Sequence, residues 1–240
     1  MEDSFDFFYF FCYNYIIIIK KEKSFMTYNK EEIFNLLSKF NFGFGFDDSR
    51  MDELAAYLAS QKFLFTYDFG VTKAVIIPKD ADYVIKIPFE GYYNLSNHFY
   101  DFTEANDKDG WDYCREEADR YKFLSNNPLK ECFAETYFLG YIDHYPIYIQ
   151  EKCSPFNYNK NSKTKEEKKM IQPYLRRYTS RGVDLNTNWC IDFRNYYGEE
   201  LFNYFLYFID QYKWGDDLSS DNVGYKCGRP VVIDFAGFRD

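Results

Sequence analysis

Gly215-Asp216-Asp217-Leu218-Ser219-Ser220-Asp221-Asn222-Val223-Gly224-Tyr225, followed shortly by Pro230-Val231-Val232-Ile233-Asp234-Phe235-Ala236-Gly237-Phe238, is the stretch on which the fold turns. A turn rich in Asp and Asn leads into a hairpin, and the hairpin into an apolar strand that ends on a carboxylate. Burying a carboxylate at a strand end without a partner is costly, and a metal on Asp234 would repay that cost. Asp217 and Asn222 lie five residues apart in the turn before it.

Upstream of this segment, Glu199 to Tyr212 carries Leu201, Phe202, Phe205, Leu206, Phe208 and Ile209, which predicts a buried helix running straight into the turn. Lys163 to Arg177 reads as a charged helix. Further back the period shortens. Lys62–Phe69, Val71–Ile77 and Tyr83–Pro88 read as three strands joined by tight turns at Gly70 and Pro78-Lys79-Asp80. A polar, loop-like insert covers Glu90 to Gly110, and Trp111 to Ser125 has helical spacing. Two more strands are expected around Phe133–Leu139 and Pro146–Gln150. Before all of these, Asn29 caps one helix, and Asp48 or Ser49 starts a second with Met51, Leu54, Ala55, Leu58 and Ala59 on one side.

The order of these groups resembles the protein-kinase-like phosphotransferases, a class that includes protein kinases and aminoglycoside phosphotransferases. Lys86 sits in Val84-Ile85-Lys86-Ile87 on the third strand, and Glu117 on the following helix. Asp217-Leu218 with Asn222 matches the D-L-x-x-x-N catalytic loop, and Asp234-Phe235 the start of D-F-G. The resemblance implies an α+β fold of two lobes: a five-stranded antiparallel N-lobe sheet plus helix, and a reduced, mainly helical C-lobe. It implies an ATP and Mg2+ site. Lys86 would meet the phosphates and pair with Glu117, Asp217 would orient or deprotonate an acceptor hydroxyl, and Asn222 and Asp234 would hold the metal. Gly70 and Lys73 would lie over the phosphates, and the backbone of Glu151 to Cys153 would meet the adenine edge as an inter-lobe hinge. The domains expected on this reading are an apolar extension (1–25), a helical segment (26–61), the N-lobe (62–150) and the C-lobe (151–240).

The departures from the pattern weigh against protein-kinase activity. The phosphate loop has one glycine, Gly70, and carries Asp68. Gly215 stands where the family has histidine, Ala236 where it has glycine, and six residues follow Asp234. The expectation is therefore an atypical kinase-like protein that binds nucleotide and transfers the γ-phosphoryl group to a hydroxyl. The alternative is a pseudokinase or interaction module with a protein partner over the abbreviated C-lobe. Residues 29–62 are a candidate cover for that lobe.

Composition narrows the classes further. A net charge of −9, with the main basic run at Lys160–Lys169 broken by Glu166 and Glu167, offers no face for nucleic acid. The six cysteines are scattered without a C-x-x-C pair and there are two histidines, which argues against zinc and for a reduced, cytoplasmic chain. Aromatic residues reach 23% but are spread along the whole chain, so they reflect a low-GC genome rather than a binding surface. Phe7–Ile19 is apolar but short and interrupted by Asn14, so a membrane association is not expected. Met26, directly before the first helix signal, offers another start, and the expectation is that residues 1–25 are an apolar appendage to the domain.

Overall fold

The computed structural model describes residues 29–43, 46–70, 72–89, 92–94, 99–101, 110–142, 145–180, 184–212 and 217–235. Among them are six α-helices and an antiparallel five-stranded sheet, a mixed α+β architecture. The 1–25 extension lies outside the described residues.

Helix α1 (Lys30–Leu37) starts where the sequence places it. The Asn29 side chain accepts the Glu32 N–H and the Glu32 carboxylate accepts the Asn29 N–H, a reciprocal capping box. Helix α2 (Met51–Ser60) is entered through a 3-10 turn at Asp48–Arg50 rather than from a capping side chain. Lys62 then takes a left-handed φ of 59°, so the first strand opens later than its apolar run predicts.

Strands β1 (Phe65–Phe69), β2 (Lys73–Pro78), β3 (Tyr83–Pro88), β6 (Thr136–Ile142) and β7 (Tyr145–Glu151) form the sheet in the order β1-β2-β3-β7-β6. The insert is not all loop: β4 (Tyr92–Asn94) and β5 (Phe99–Asp101) pair as a separate hairpin, and residues 102–109 lie outside the described residues. Helix α3 (Gly110–Phe123) connects that hairpin back to β6.

Alternation sorts the sheet's side chains onto two faces. Ala74 and Ile76 lie opposite Ile87 and Ile85, and Ile85 opposite Ile149. These join Ile33, Leu37, Leu54 and Leu58 of α1 and α2 in one buried core. At about 2 kcal/mol for each fully buried aliphatic side chain, this layer fixes the two N-terminal helices to the sheet. They do not cover the second half of the chain, as expected above for residues 29–62: no described residue before Tyr121 enters the second core.

That second core is built by α4 (Lys165–Thr179), α5 (Thr187–Tyr197), α6 (Glu199–Tyr212) and the antiparallel hairpin β11 (Val223–Lys226)/β12 (Arg229–Val232). Thr164 caps α4 with a capping box to Glu167. Helix α5 is additional to the sequence-based expectation. The Asn186 side chain caps it on the Trp189 N–H, and Gly198, at φ 87°, turns the chain from its end into α6. A parallel bridge joins β9 (Asp184–Leu185) to β10 (Asp217–Leu218). A further short strand, β8 (Ser154–Pro155), lies against β11 so closely that a Cβ on Gly224 would sit 2.3 Å from the Ser154 carbonyl oxygen. No helix among the described residues is long and apolar enough to cross a membrane.

Candidate functional site

The second face of the sheet carries the polar residues. Lys86 pairs across strands with Val75 on one side and Tyr148 on the other, and period-two alternation brings Lys73 and Gln150 onto the same face. Helix α3 lies over this face. Its buried stripe runs Tyr113, Cys114, Glu117 and Tyr121, at the i, i+3/i+4 spacing of one helix side. Glu117 therefore points at the lysines, while Glu116 turns aside to pair with Arg120 at 3.2 Å.

Four charged groups meet there. Glu117, fully buried, bonds Lys86 Nζ through Oε2 and lies 2.5 Å from Lys73 Nζ through Oε1. Lys73 Nζ lies 2.8 Å from Asp234 Oδ2. The Lys86 side chain is 4% exposed and that of Asp234 27%, so the cluster opens to solvent on the Asp234 side. Two ammonium and two carboxylate groups balance, which is the condition for burying them at all.

Neutral hydrogen bonds fasten the cluster to its supports. Gln150 Nε2 donates to Thr136 Oγ1 and to the Ile233 carbonyl, both at 2.8 Å, and lies 3.4 Å from Glu117 Oε2. Arg120 donates to the Phe235 carbonyl, and the Phe235 ring packs edge-on against Phe133 at 5.2 Å. The Asn222 carbonyl accepts the Ile233 and Asp234 N–H groups at 2.8 and 3.2 Å, which sets Asn222 beside Asp234.

The charges shift one another. Burial pulls the Lys73 ammonium down, but Asp234 and Glu117 outweigh it and hold Lys73 well above the usual lysine range. Burial pushes the Asp234 carboxyl up, and Lys73 and Lys86 overcome this and hold it well below the usual carboxylate range. For Glu117 burial prevails and its pKa is raised, despite Lys73 and Lys86. Burial also pushes the neighbouring Cys114 thiol and the Cys153 thiol up to about 12, so neither is a thiolate nucleophile near neutral pH.

Lys86, Glu117 and Asp234 thus come together as side chains, with Asn222 joined through its backbone. Lys73, expected only above the phosphates, is seated inside the cluster. Asp217 lies on β10, bridged to Asp184; what its carboxylate faces lies outside the described side chains. Three of the expected backbone donors are already engaged within the protein. The Gly70 N–H donates to the Lys73 carbonyl at 3.0 Å, closing the β1–β2 turn rather than standing free for phosphate. The Glu151 and Lys152 N–H groups donate to the Glu135 and Asp82 carbonyls, both at 2.8 Å, so these two hinge donors are committed within the protein. The Glu151 carboxylate is held by Arg229 at 3.1 Å, which pins the hinge to β12.

A divalent metal is a poor fit to the carboxylates as they stand. Mg2+ needs oxygen ligands at about 2.0–2.1 Å. An ion on Asp234 Oδ2 would lie close to Lys73 Nζ, which already holds that oxygen. At about 4 Å and an effective dielectric of about 20, a divalent ion and an ammonium repel by about 8 kcal/mol.

Sequence reasoning missed Gln150 and Thr136. Gln150 closes an otherwise apolar run, Tyr145 to Ile149, in phase with Lys86, and that phase was a readable signal. A separate groove of about 520 Å3 lies between α3 and the β6/β7 edge, lined by Tyr137, Phe138, Tyr141 and Arg115 among others; it borders the polar sheet face at Thr136, Phe138 and Tyr148. A scan of the sequence against protein-family models matched none, and a search among curated proteins returned no relative.

Proposed function

We propose that this chain is a kinase-like nucleotide-binding protein, with a sheet lobe over 62–150, a helical lobe over 151–240, and the phosphates of ATP received between them. The observation that carries the reading is the Lys86–Glu117 ion pair between β3 and α3, closed by Asp234 from the segment after β12. The strand order β1-β2-β3-β7-β6, with a glutamate-bearing helix inserted before β6, adds support. Lys86 is the phosphate-facing cation, and Glu117 fixes its rotamer. Asp217 orients the acceptor hydroxyl. The acceptor oxygen forms the new bond to the γ-phosphorus as the bond to the ADP oxygen breaks, and the hydroxyl proton passes to the Asp217 carboxylate. Five free cysteines among the described residues support a reducing, cytoplasmic setting.

A second reading, nucleotide binding or partner docking without transfer, is favoured by the committed hinge donors and by the cation already on Asp234. ATP turnover separates the two. Phosphoryl transfer that is lost in Asp217→Ala while ATP still raises the melting temperature supports the enzyme. ATP binding without turnover in the unmodified chain supports the second reading and refutes transfer.

A further inference from the structure

The kinase-like reading assigns Asp234 to a metal, and the geometry of this chain assigns it to something else. We infer that Lys73 is the built-in counter-ion of Asp234 and stands in the place of a divalent cation, so that this site takes a nucleoside triphosphate as the free anion. The nucleotide part of this inference rests on the function proposed above; the part concerning the carboxylate does not.

Several observations converge on it. Lys73 is the first residue of β2, so the short turn at Gly70 delivers its side chain to the sheet face at the mouth of the cluster. Its side chain is 90% covered and its ammonium touches both carboxylates, at 2.5 and 2.8 Å, whereas among the ion pairs of the described residues Lys86 reaches Glu117. With Lys86 already answering Glu117, the site contains one more cation than a lysine–glutamate pair needs, and that cation faces Asp234. An added metal would turn a balanced set of two positive and two negative groups into one with a surplus of two positive charges. It would also have to displace a buried ammonium that holds its partner at hydrogen-bond distance. Phosphate oxygens would be repelled by the Asp234 carboxylate at the mouth, and Lys73, by answering that charge, lets them approach. They are acceptors, and each ammonium has three donors to share.

The test uses the full chain and two probes. Mn2+ alone is titrated into the protein and followed by the loss of its free electron-spin-resonance signal. Uptake should be the same for the unmodified chain and for Asp234→Asn. Lys73→Met should gain one Mn2+ that Asp234→Asn removes again in that background. Because Lys73→Met leaves a carboxylate unanswered, the balanced double variant Lys73→Met/Glu117→Gln is run beside it, with circular dichroism to verify folding. Mn2+ uptake by the unmodified chain that disappears in Asp234→Asn would overturn the inference, as would a folded double variant that gains no Mn2+. In the second arm ATP should raise the melting temperature equally in EDTA and in Mg2+, and a rise that needs Mg2+ would overturn the inference. No rise in either buffer would refute the nucleotide reading itself, and the Mn2+ comparison then decides the role of Lys73 by itself.

Discussion

Replacing Glu117 by Gln should be among the most damaging conservative changes in the protein. The side chain keeps its size and its capacity for hydrogen bonds, so no cavity opens. What disappears is the one negative charge shared by Lys86 and Lys73, both nearly covered. Among the ion pairs of the described residues Asp234 meets Lys73, so Lys86 loses the one carboxylate it bonds directly. Removing one partner of a buried pair costs about 3–5 kcal/mol, and relief of the carboxylate's own burial, which raises the Glu117 pKa, offsets part of that loss without cancelling it. At 2–4 °C per kcal/mol for a chain of this size, the melting temperature should fall by on the order of 10 °C. The exposed pair Arg50–Glu53, with Glu53 64% exposed, is the internal control, and Glu53→Gln should cost less than about 1 kcal/mol. Urea unfolding followed by circular dichroism reads both variants. The decisive companion is Lys86→Met/Glu117→Gln, which removes one charge of each sign and leaves Lys73 facing Asp234. It should be more stable than the single variant. A loss below about 1 kcal/mol for Glu117→Gln, or a double variant less stable than the single, would refute the claim that charge balance holds the cluster together.

Other perturbations test the surrounding architecture. Gly224→Ala places a methyl 2.3 Å from the Ser154 backbone oxygen, so β8 must separate from β11 at a cost of about 2 kcal/mol or more, read as a lowered urea midpoint. Phe205 is fully buried against Phe193, Trp189 and Phe133, and Phe205→Ala should cost about 3–5 kcal/mol in the same assay. The pH dependence follows from the shifts. Asp234 titrates below its unfolded value, so its contribution is complete above about pH 4 and is lost as pH falls further. Lys73 titrates above its unfolded value, so its contribution is complete below about pH 10 and is lost only in stronger alkali. Glu117 has the opposite sign to Asp234, since its raised pKa makes the ionised form the less favourable one in the fold. The stability gap between the unmodified chain and Asp234→Asn should therefore narrow on going from about pH 6 to about pH 3; a gap that stays constant would remove Asp234 from the acid limb.

How much of this was legible in the sequence depended on how local the cause was. Strand β3, Tyr83–Pro88, and helix α6, Glu199–Tyr212, were readable because each declares its period within its own residues. Helix α5 was not. Asn188, Trp189, Cys190, Ile191 and Phe193 are all buried, so no polar stripe marks its helical period. Strands β9 and β10 exist as partners of one another at a separation of 33 positions, and nothing in either dipeptide announces the pairing. In the site, Lys86 and Glu117 followed from strand and helix phase. The contact between Lys73 and Asp234 joins residues 161 positions apart, and its geometry depends on the packing of both halves of the chain. Two of the hinge donors are closed for a similar reason: the Glu135 and Asp82 carbonyls, distant in sequence, take the Glu151 and Lys152 N–H groups.

The central claim is that a nucleotide meets the cluster around Lys86. Thermal unfolding with and without ATP tests it most directly, in the unmodified chain and in Lys86→Met. At ATP about 100-fold above its dissociation constant, the account predicts about 2.7 kcal/mol of added stability and a clear rise in melting temperature. That rise should be lost in Lys86→Met. An unmodified chain whose melting temperature ATP does not move, or an equal rise in Lys86→Met, would contradict it.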